Sequence, residues 1–364
     1  MLTRRQFGLG LGAAAGGALV IRDLRDARGA EPIVVKLGSS LGLYELPNAG
    51  WMCGFHKKLG FYAQEGVEVD YTNTGNSANS FNALVSGASD YGLITATTML
   101  PFLVQNPDAE IVSFYAVIPQ PFWYVAVKPD SPYKELKDLK GKSIGIVNLG
   151  DTGYFAAKAM FKELGMNPAS DVNWVTVGAG GPAGQALAGG RVDALAEWDV
   201  LYSVIEKLGF PLRALPNTPG QTHVVGATYG TKRATFEKKR ELFGRYFRAV
   251  TKSTIFAYNN REAAIRVFFD MYPEALPKGK TQQQAIADGV YALDVRKEKW
   301  FPDKSDADQR MGTQSEIEWA NAVKMMEMED KFKDPKKLYT NDIVDDCNKF
   351  DKNAIADLAK SFNL

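Results

Sequence analysis

Ser143-Ile144-Gly145-Ile146-Val147-Asn148-Leu149-Gly150-Asp151-Thr152-Gly153 is the stretch whose reading decides the fold. Its first five residues carry the apolar, β-branched character of a buried strand. Leu149-Gly150-Asp151-Thr152-Gly153 is a loop that opens a helix, and that helix stops at Gly165 before Pro168. The strand–loop–helix unit then repeats. Trp174-Val175-Thr176-Val177 reads as a strand followed by the glycine loop Gly178-Ala179-Gly180-Gly181, and Ala194-Leu195-Ala196-Glu197 as a strand followed by a helix to Leu208. Upstream, Ile33–Gly38 and Val67–Tyr71 read as strands, and Asn73-Thr74-Gly75-Asn76-Ser77 as a polar turn capping a helix through Leu84 to Gly87. Tyr91–Ile94 is a third strand, ending in Thr95-Ala96-Thr97-Thr98, and Ile111–Tyr115 and Trp123–Val127 are further strands. Val224–Tyr229 is the last clear strand, and from Thr235 the chain reads as helices with a charged face. No internal repeat or low-complexity tract interrupts the pattern.

Strands alternating with helices predict parallel sheets covered by helices, here as two α/β units followed by a helical C-terminal part. Two such units leave a cleft beyond the carboxyl ends of their strands, where ligands of open α/β sheets bind.

Composition narrows the chemistry. The 364 residues are 45% hydrophobic and 23% charged, ordinary values for a globular chain of one large or two medium domains. A formal net charge of +1 offers no broad footprint for nucleic acid. Two cysteines and two histidines cannot build a zinc ribbon or a disulfide scaffold. His56 and His223 lack a helical metal-ligand spacing, so no metal is expected. Cys53 and Cys347 stand either as free thiols or as one bridge, since nothing in the sequence places them within reach of each other.

The charge is uneven. Residues 1–29 carry five arginines against two aspartates, net +3, which leaves 38 basic against 40 acidic residues, net −2, for the remainder. Arg4-Arg5-Gln6, followed by an apolar run from Phe7 to Ile21, resembles a bacterial twin-arginine export signal. The run is fifteen residues long and holds five glycines, too short to span a bilayer and too glycine-rich for a stable amphipathic helix. Ala27-Arg28-Gly29 is a small-residue exit, with Ala30 the first mature residue and no lipid-bearing cysteine behind it. The expectation is a soluble periplasmic protein with its signal removed.

Four further segments carry a family resemblance. They are Leu59-Gly60-Phe61-Tyr62-Ala63-Gln64-Glu65-Gly66-Val67-Glu68-Val69, Ala83–Gly87 through Asp90-Tyr91-Gly92, Leu136–Gly145, and Gly189-Gly190-Arg191-Val192-Asp193-Ala194 with Trp198-Asp199. In this order and spacing they resemble the nitrate/sulfonate/taurine group of periplasmic solute-binding proteins, which includes binding proteins for thiamine-pyrimidine precursors. The resemblance covers roughly residues 33–260, and the stretch 293–313, with Trp300 and Phe301, departs from it. It implies a two-lobed periplasmic binding protein type II fold with two crossover strands, near 120–128 and 220–228, and a helical C-terminal part. Residues 30–125 would form the first part of lobe one, 126–222 lobe two, and 223–364 the return to lobe one and the C-terminal helices. It also implies the solute-binding component of an ABC importer. Its partners would be a small organic ligand and an inner-membrane permease, with no nucleic acid, no cofactor and no catalytic residue, and it would act as a monomer.

A binding protein needs a desolvated slot with a few fixed polar groups. The strand-end loops supply Ser39, Ser40, Asn76, Ser77, Thr95, Thr97 and Thr98, while Gly150, Asp151 and Thr152 sit at a helix start whose free N–H groups can hold an anionic oxygen. Asp151 either caps that helix alone or also meets the ligand. Trp51, Phe122, Trp123, Tyr154 and Trp198, with Tyr44, fall where cleft walls are expected, whereas Trp174, Trp300 and Trp319 read as core packing. Asp199 is placed to cap the following helix and Glu197 to accept hydrogen bonds from an amino or heteroaromatic N–H. No lysine or arginine falls obviously at a cleft loop, and two cleft-facing acids would disfavour bare phosphate or sulfate. The expected ligand is an organic anion with an apolar or planar body, a sulfonate or aromatic carboxylate. The alternatives are a pyrimidine thiamine precursor, a cofactor-dependent synthase-like enzyme, and a sensor subunit. The synthase reading lacks its cysteine-rich motif here. Gly178-Ala179-Gly180-Gly181-Pro182-Ala183 mimics a dinucleotide loop, but the helix behind it is very short. Met325–Asp330 is an ordinary amphipathic-helix segment.

Overall fold

The structure is a computed structural model and describes residues 33–37, 49–74, 77–221 and 223–364. The export segment and Ser39, Ser40, Tyr44 and Asn76 lie outside the described residues, as do the side chains of Trp51 and Ser77.

The first unit runs through β1 (Ile33–Leu37), α1 (Ala49–Met52), α2 (Phe61–Gln64), β2 (Val69–Asn73), α3 (Ser77–Ser86), β3 (Gly92–Ile94), α4 (Ala96–Gln105) and β4 (Ile111–Ile118). The second holds β5 (Trp123–Val127), β6 (Ser143–Ile146), α5 (Thr152–Glu163), β7 (Asn173–Thr176), α6 (Gly181–Ala188), β8 (Ala194–Trp198), α7 (Asp199–Lys207) and β9 (Arg213–Ala214). The chain returns through β10 (Ala227–Lys232) to α8 (Arg233–Asn259), α9 (Arg261–Met271), α10 (Gln282–Arg296), α11 (Glu316–Met325), α12 (Val344–Asn348) and α13 (Lys352–Ser361).

The second unit's five strands lie in the order β7-β6-β8-β5-β9, and the first unit's strands form the pair β1-β2 and the trio β3-β10-β4. The expectation of parallel sheets fails at two strands. β6 is parallel to β7 and β8, and β1 to β2, but β5 runs antiparallel to β8 and β9, and β10 antiparallel to β3 and β4. The cause is the chain path. β5 and β10 are each the first strand after a crossing, so each enters its sheet from the end where the parallel strands finish.

The crossings occupy residues 119–122 and 215–226. The second lies earlier than expected, because pairing begins only at Ala227 and runs on to Lys232. Val224 and Val225 instead pack into a core cluster with Ile94 and Trp319. The two crossings touch. Gly226 N–H donates to Pro119 O at 2.9 Å, and a Cβ on Gly226 would stand 2.3 Å from Ile118 O, so only glycine fits.

Thr95–Thr98 is a helix start rather than a strand end. Thr95 caps α4 in a reciprocal capping box with Thr98, whose side chain accepts from Thr95 N–H at 3.2 Å. Pro101 inside α4 hides that helix from a sequence reading, since proline normally breaks one.

The first unit's core is aromatic. It gathers Phe61, Phe114, Phe243 and Phe247 around the Tyr91–Tyr246 hydroxyl pair at 2.6 Å. Trp319 is fully buried and Trp300 nearly so, while Trp174 packs at the second core's edge and donates to Pro168 O. Cys53 and Cys347 are both buried in the first core as free thiols. The glycine loop leads into an eight-residue α6 with Pro182 in its first turn.

Candidate functional site

The carboxyl end of β8 and the amino end of α5 meet in direct backbone contact. A Cβ on Gly153 would stand 2.7 Å from Ala196 O and 3.2 Å from Glu197 Cα, so the missing side chain lets the helix start rest on the strand end. Asp151 caps α5 in extended conformation and accepts from Gly153 N–H at 3.2 Å. Asp151 and Thr152 are both buried.

The first unit faces this corner with its own helix starts. Ala78 N–H, in the first turn of α3, donates to Gly150 O at 3.2 Å, which joins the two units. α4 packs against α5. Thr95 and Thr97 are buried at the start of α4, their hydroxyl oxygens 2.9 Å apart. Thr97, Ala78 and Phe155 line one groove of about 410 Å3 between the units, floored by Phe81, Pro101 and Met325.

Glu197 is the unusual group. It is 1% exposed at the end of β8, and neither carboxyl oxygen has a hydrogen-bond partner among the described residues. Burial first, and then the Asp151 charge, pushes its carboxyl well above the ordinary range. The nearby Tyr202 hydroxyl does not relieve it, because it accepts from Glu197 N–H at 2.8 Å and is directed at the Leu195 and Tyr124 carbonyl oxygens. Glu197 therefore holds its proton more tightly than an ordinary carboxyl, able to donate one hydrogen bond when protonated or to accept several when ionised.

The aromatic residues divide. Phe122 and Trp123 are buried in the second unit's core with ring centroids 3.9 Å apart, and Trp123 lies opposite Trp198 across β5 and β8. Trp198 is half-buried and precedes α7 in extended conformation. Tyr154 turns to the edge of Trp174, with centroids 5.0 Å apart. The structure thus brings Thr95, Thr97, Gly150, Asp151, Thr152 and Glu197 to the junction of the units, and packs Phe122, Trp123 and Tyr154 largely among other side chains.

Asp199 is corrected from a helix cap to half of a buried ion pair. It stands inside the first turn of α7 and receives Arg296 and Lys299, the latter at 2.9 Å. The Arg296 guanidinium also covers the Phe122 ring at 4.2 Å. Gln120, in the first crossing, donates to the Glu298 and Phe301 carbonyl oxygens, each at 3.1 Å. These partners come from the stretch that departs from the family resemblance. Basic residues therefore do reach the crossing, but from 97 positions beyond Asp199 and already paired to it. The only sequence signal was the basic end of a helix followed by Trp300-Phe301. Among the described residues no group of three or more His, Cys, Asp and Glu could hold a metal ion, and no helix is long and apolar enough to cross a membrane.

Two α/β units, each receiving an antiparallel strand from a crossing, define the fold of periplasmic binding proteins. A protein of Bordetella bronchiseptica RB50 superposes with a TM-score of 0.66 at 21% identity, covering 87% of this chain and 97% of its own. The alkanesulfonate-binding protein SsuA of Xanthomonas axonopodis pv. citri, bound to MOPS, gives 0.57 at 19% identity over 87% of this chain and 98% of its own. The chain belongs to the NMT1/THI5-like family, whose model matches residues 55–264. YtlA of Bacillus subtilis (strain 168) is 18% identical over 201 residues, 55% of this chain, and the matched region spans about 60% of the length of that relative.

Proposed function

We propose that this chain is the periplasmic solute-binding component of an ABC importer, which captures a small organic solute between its two units and delivers it to a membrane permease. The observation that carries this reading is the junction itself. Helix starts from both units meet at the Ala78–Gly150 contact, beside a buried carboxyl with no partner among the described residues. In this reading the junction supplies the desolvated slot and the few fixed polar groups that a binding protein needs, with no nucleophile or cofactor. The proposed ligand is an organic anion with an apolar or planar body, a sulfonate or aromatic carboxylate. Its anionic oxygens would lie toward the helix starts that carry Ser77, Thr95 and Thr97, and Gly150 and Thr152 would face it from the other unit. Trp51, Ser39, Ser40 and Asn76, which lie wholly or by their side chains outside the described residues, are proposed as further ligand-binding residues, as is Trp198.

The proposed moving bodies are residues 30–125 with 223–364, and 126–222, hinged at the paired crossings. Export by the twin-arginine route and removal of residues 1–29 belong to the same proposal, as does function as a monomer.

The test is a thermal-shift and calorimetry panel of organic sulfonates and aromatic carboxylates on the chain beginning at Ala30. A ligand at one hundred times its Kd stabilises the folded state by about 2.7 kcal/mol, a readily visible shift. A panel in which no small organic solute stabilises the protein contradicts the proposal.

A further inference from the structure

We infer that Glu197 is a specificity-determining residue that takes a nitrogen donor of the ligand, an ammonium or N–H group, so that the solute is an organic anion which also carries nitrogen. This rests on the solute-binding reading above and names the ligand class within it.

Glu197 has hydrogen-bonding capacity that the described residues leave unmet. Every charged or titratable group near the Glu197 carboxyl is otherwise engaged or of the wrong sign. From α5, Asp151 accepts from Gly153 N–H and adds negative charge. From α7, the Tyr202 hydroxyl is occupied with the backbone, and Asp199 is held by Arg296 and Lys299. From β5, Tyr124 lies opposite in register and packs its ring, tilted, against Tyr202 with centroids 4.5 Å apart. No donor or cation among the described residues reaches either oxygen of Glu197. A strand position flanked by Ala196 and half-buried Trp198 has no packing need for an acid, and an apolar or amide side chain would be cheaper to bury. The missing partner is supplied by something that enters the site.

The sign of the field then selects its chemistry. The Asp151 charge beside the Glu197 carboxyl makes the second unit's side of the junction acidic, which attracts a cation or N–H donor and repels an oxyanion. The first unit's side is the opposite, since α3 and α4 carry no acidic residue in their first turns and present N–H groups and the Thr95 and Thr97 hydroxyls. A ligand with an anionic head and a nitrogen some distance away satisfies both sides.

Binding is then linked to protons. The buried, unpartnered Glu197 carboxyl holds its proton more tightly than an ordinary one. It loses its proton to solvent as the ammonium or N–H group docks, leaving a carboxylate paired with the ligand nitrogen. Affinity rises with pH until the free site is itself ionised.

The experiment is calorimetry on the chain beginning at Ala30 with matched pairs, 2-aminoethanesulfonate against propanesulfonate and 4-(aminomethyl)benzoate against 4-ethylbenzoate. Each titration is repeated in buffers of different ionisation enthalpy. The expected result is at least tenfold tighter binding of a nitrogen-bearing member, release of close to one proton per ligand, and affinity that increases with pH. E197Q should lose the preference and the proton release. If E197Q does not fold, proton release by the unaltered protein decides alone. Tighter binding of the nitrogen-free members, or nitrogen-bearing ligands bound without proton release, overturns the inference and leaves the solute-binding reading standing. A wider thermal-shift panel of amines and their des-amino isosteres covers the remaining outcomes. Stabilisation by nitrogen-bearing anions alone supports the inference, by nitrogen-free anions alone overturns it, and by nothing overturns both readings.

Discussion

Arg296, at the end of α10, reaches the buried carboxylate of Asp199 at the start of α7, its Nε 2.9 and 3.0 Å from the two Oδ atoms. Asp199 is 1% exposed and Arg296 5%, so the pair is shielded from solvent. α10 lies along α7, where the Tyr291 hydroxyl donates to Glu206 at 3.1 Å and Lys207 covers the Tyr291 ring. Together with Gln120 on the Glu298 and Phe301 carbonyls, these contacts fasten the C-terminal helices to both the second unit and the first crossing.

Replacing Arg296 by leucine leaves Asp199 buried with only Lys299, and is expected to cost about 3–5 kcal/mol in chemical denaturation. The double variant Asp199→Leu/Arg296→Leu should recover much of that loss, because burying neither charge avoids the desolvation cost. A double variant as unstable as the single one would show that the pair holds the helices by shape rather than charge.

Acid should release the same bolt. Burial alone would raise the Asp199 carboxyl, but the Arg296 charge and hydrogen bonds, joined by Lys299, outweigh it and hold the group below its usual range. A lowered folded pKa means a contribution fully present above the unfolded value of about 3.9 and lost as pH falls through the folded one. Stability of the unaltered protein measured by denaturant should therefore fall more steeply below about pH 4 than that of Asp199→Asn.

Gly226→Ala would place a methyl group 2.3 Å from Ile118 O and 2.5 Å from Gln120 O. The crossings must separate to accept it. Overpacking of this kind costs about 1–3 kcal/mol, read as a lower urea midpoint with an unchanged slope.

Gly153→Ala acts on the site rather than the hinge. Its Cβ would push the start of α5 off Ala196 and Glu197. Ligand affinity should fall tenfold or more, about 1.4 kcal/mol, while far-ultraviolet circular dichroism stays that of the parent.

Cys53 and Cys347 should not react with a thiol reagent in the folded protein, because both are buried and burial pushes both thiols up, away from the reactive thiolate. Denaturant without reductant should expose two thiols per chain. None would mean a bridge between them.

Much of this architecture was legible in local sequence. Trp123–Val127 and the β8 and α7 segments stand close to where periodicity put them, because apolar alternation and flanking glycines act locally. The antiparallel β5 and β10 were not legible as such, because strand direction depends on which unit the chain has just left. α4 was masked by Pro101, and β9 is only two residues long, too short to carry a period. Glu197 could be named from its place at a strand end, but that it has no partner is a fact of three dimensions. The Asp199–Arg296 pair joins residues 97 positions apart, with no local pattern to announce it.

The central claim is that a solute is held where the two units meet. A crystal structure of the chain beginning at Ala30, grown with a ligand identified by calorimetry, tests it most directly. The ligand is expected between the starts of α3 and α4 on one side and Asp151 and Glu197 on the other, with a polar ligand atom in hydrogen-bond distance of the Glu197 carboxyl. A ligand seated instead on the outer face, such as the groove lined by Leu103, Phe332 and Lys337, with the junction empty, would contradict it.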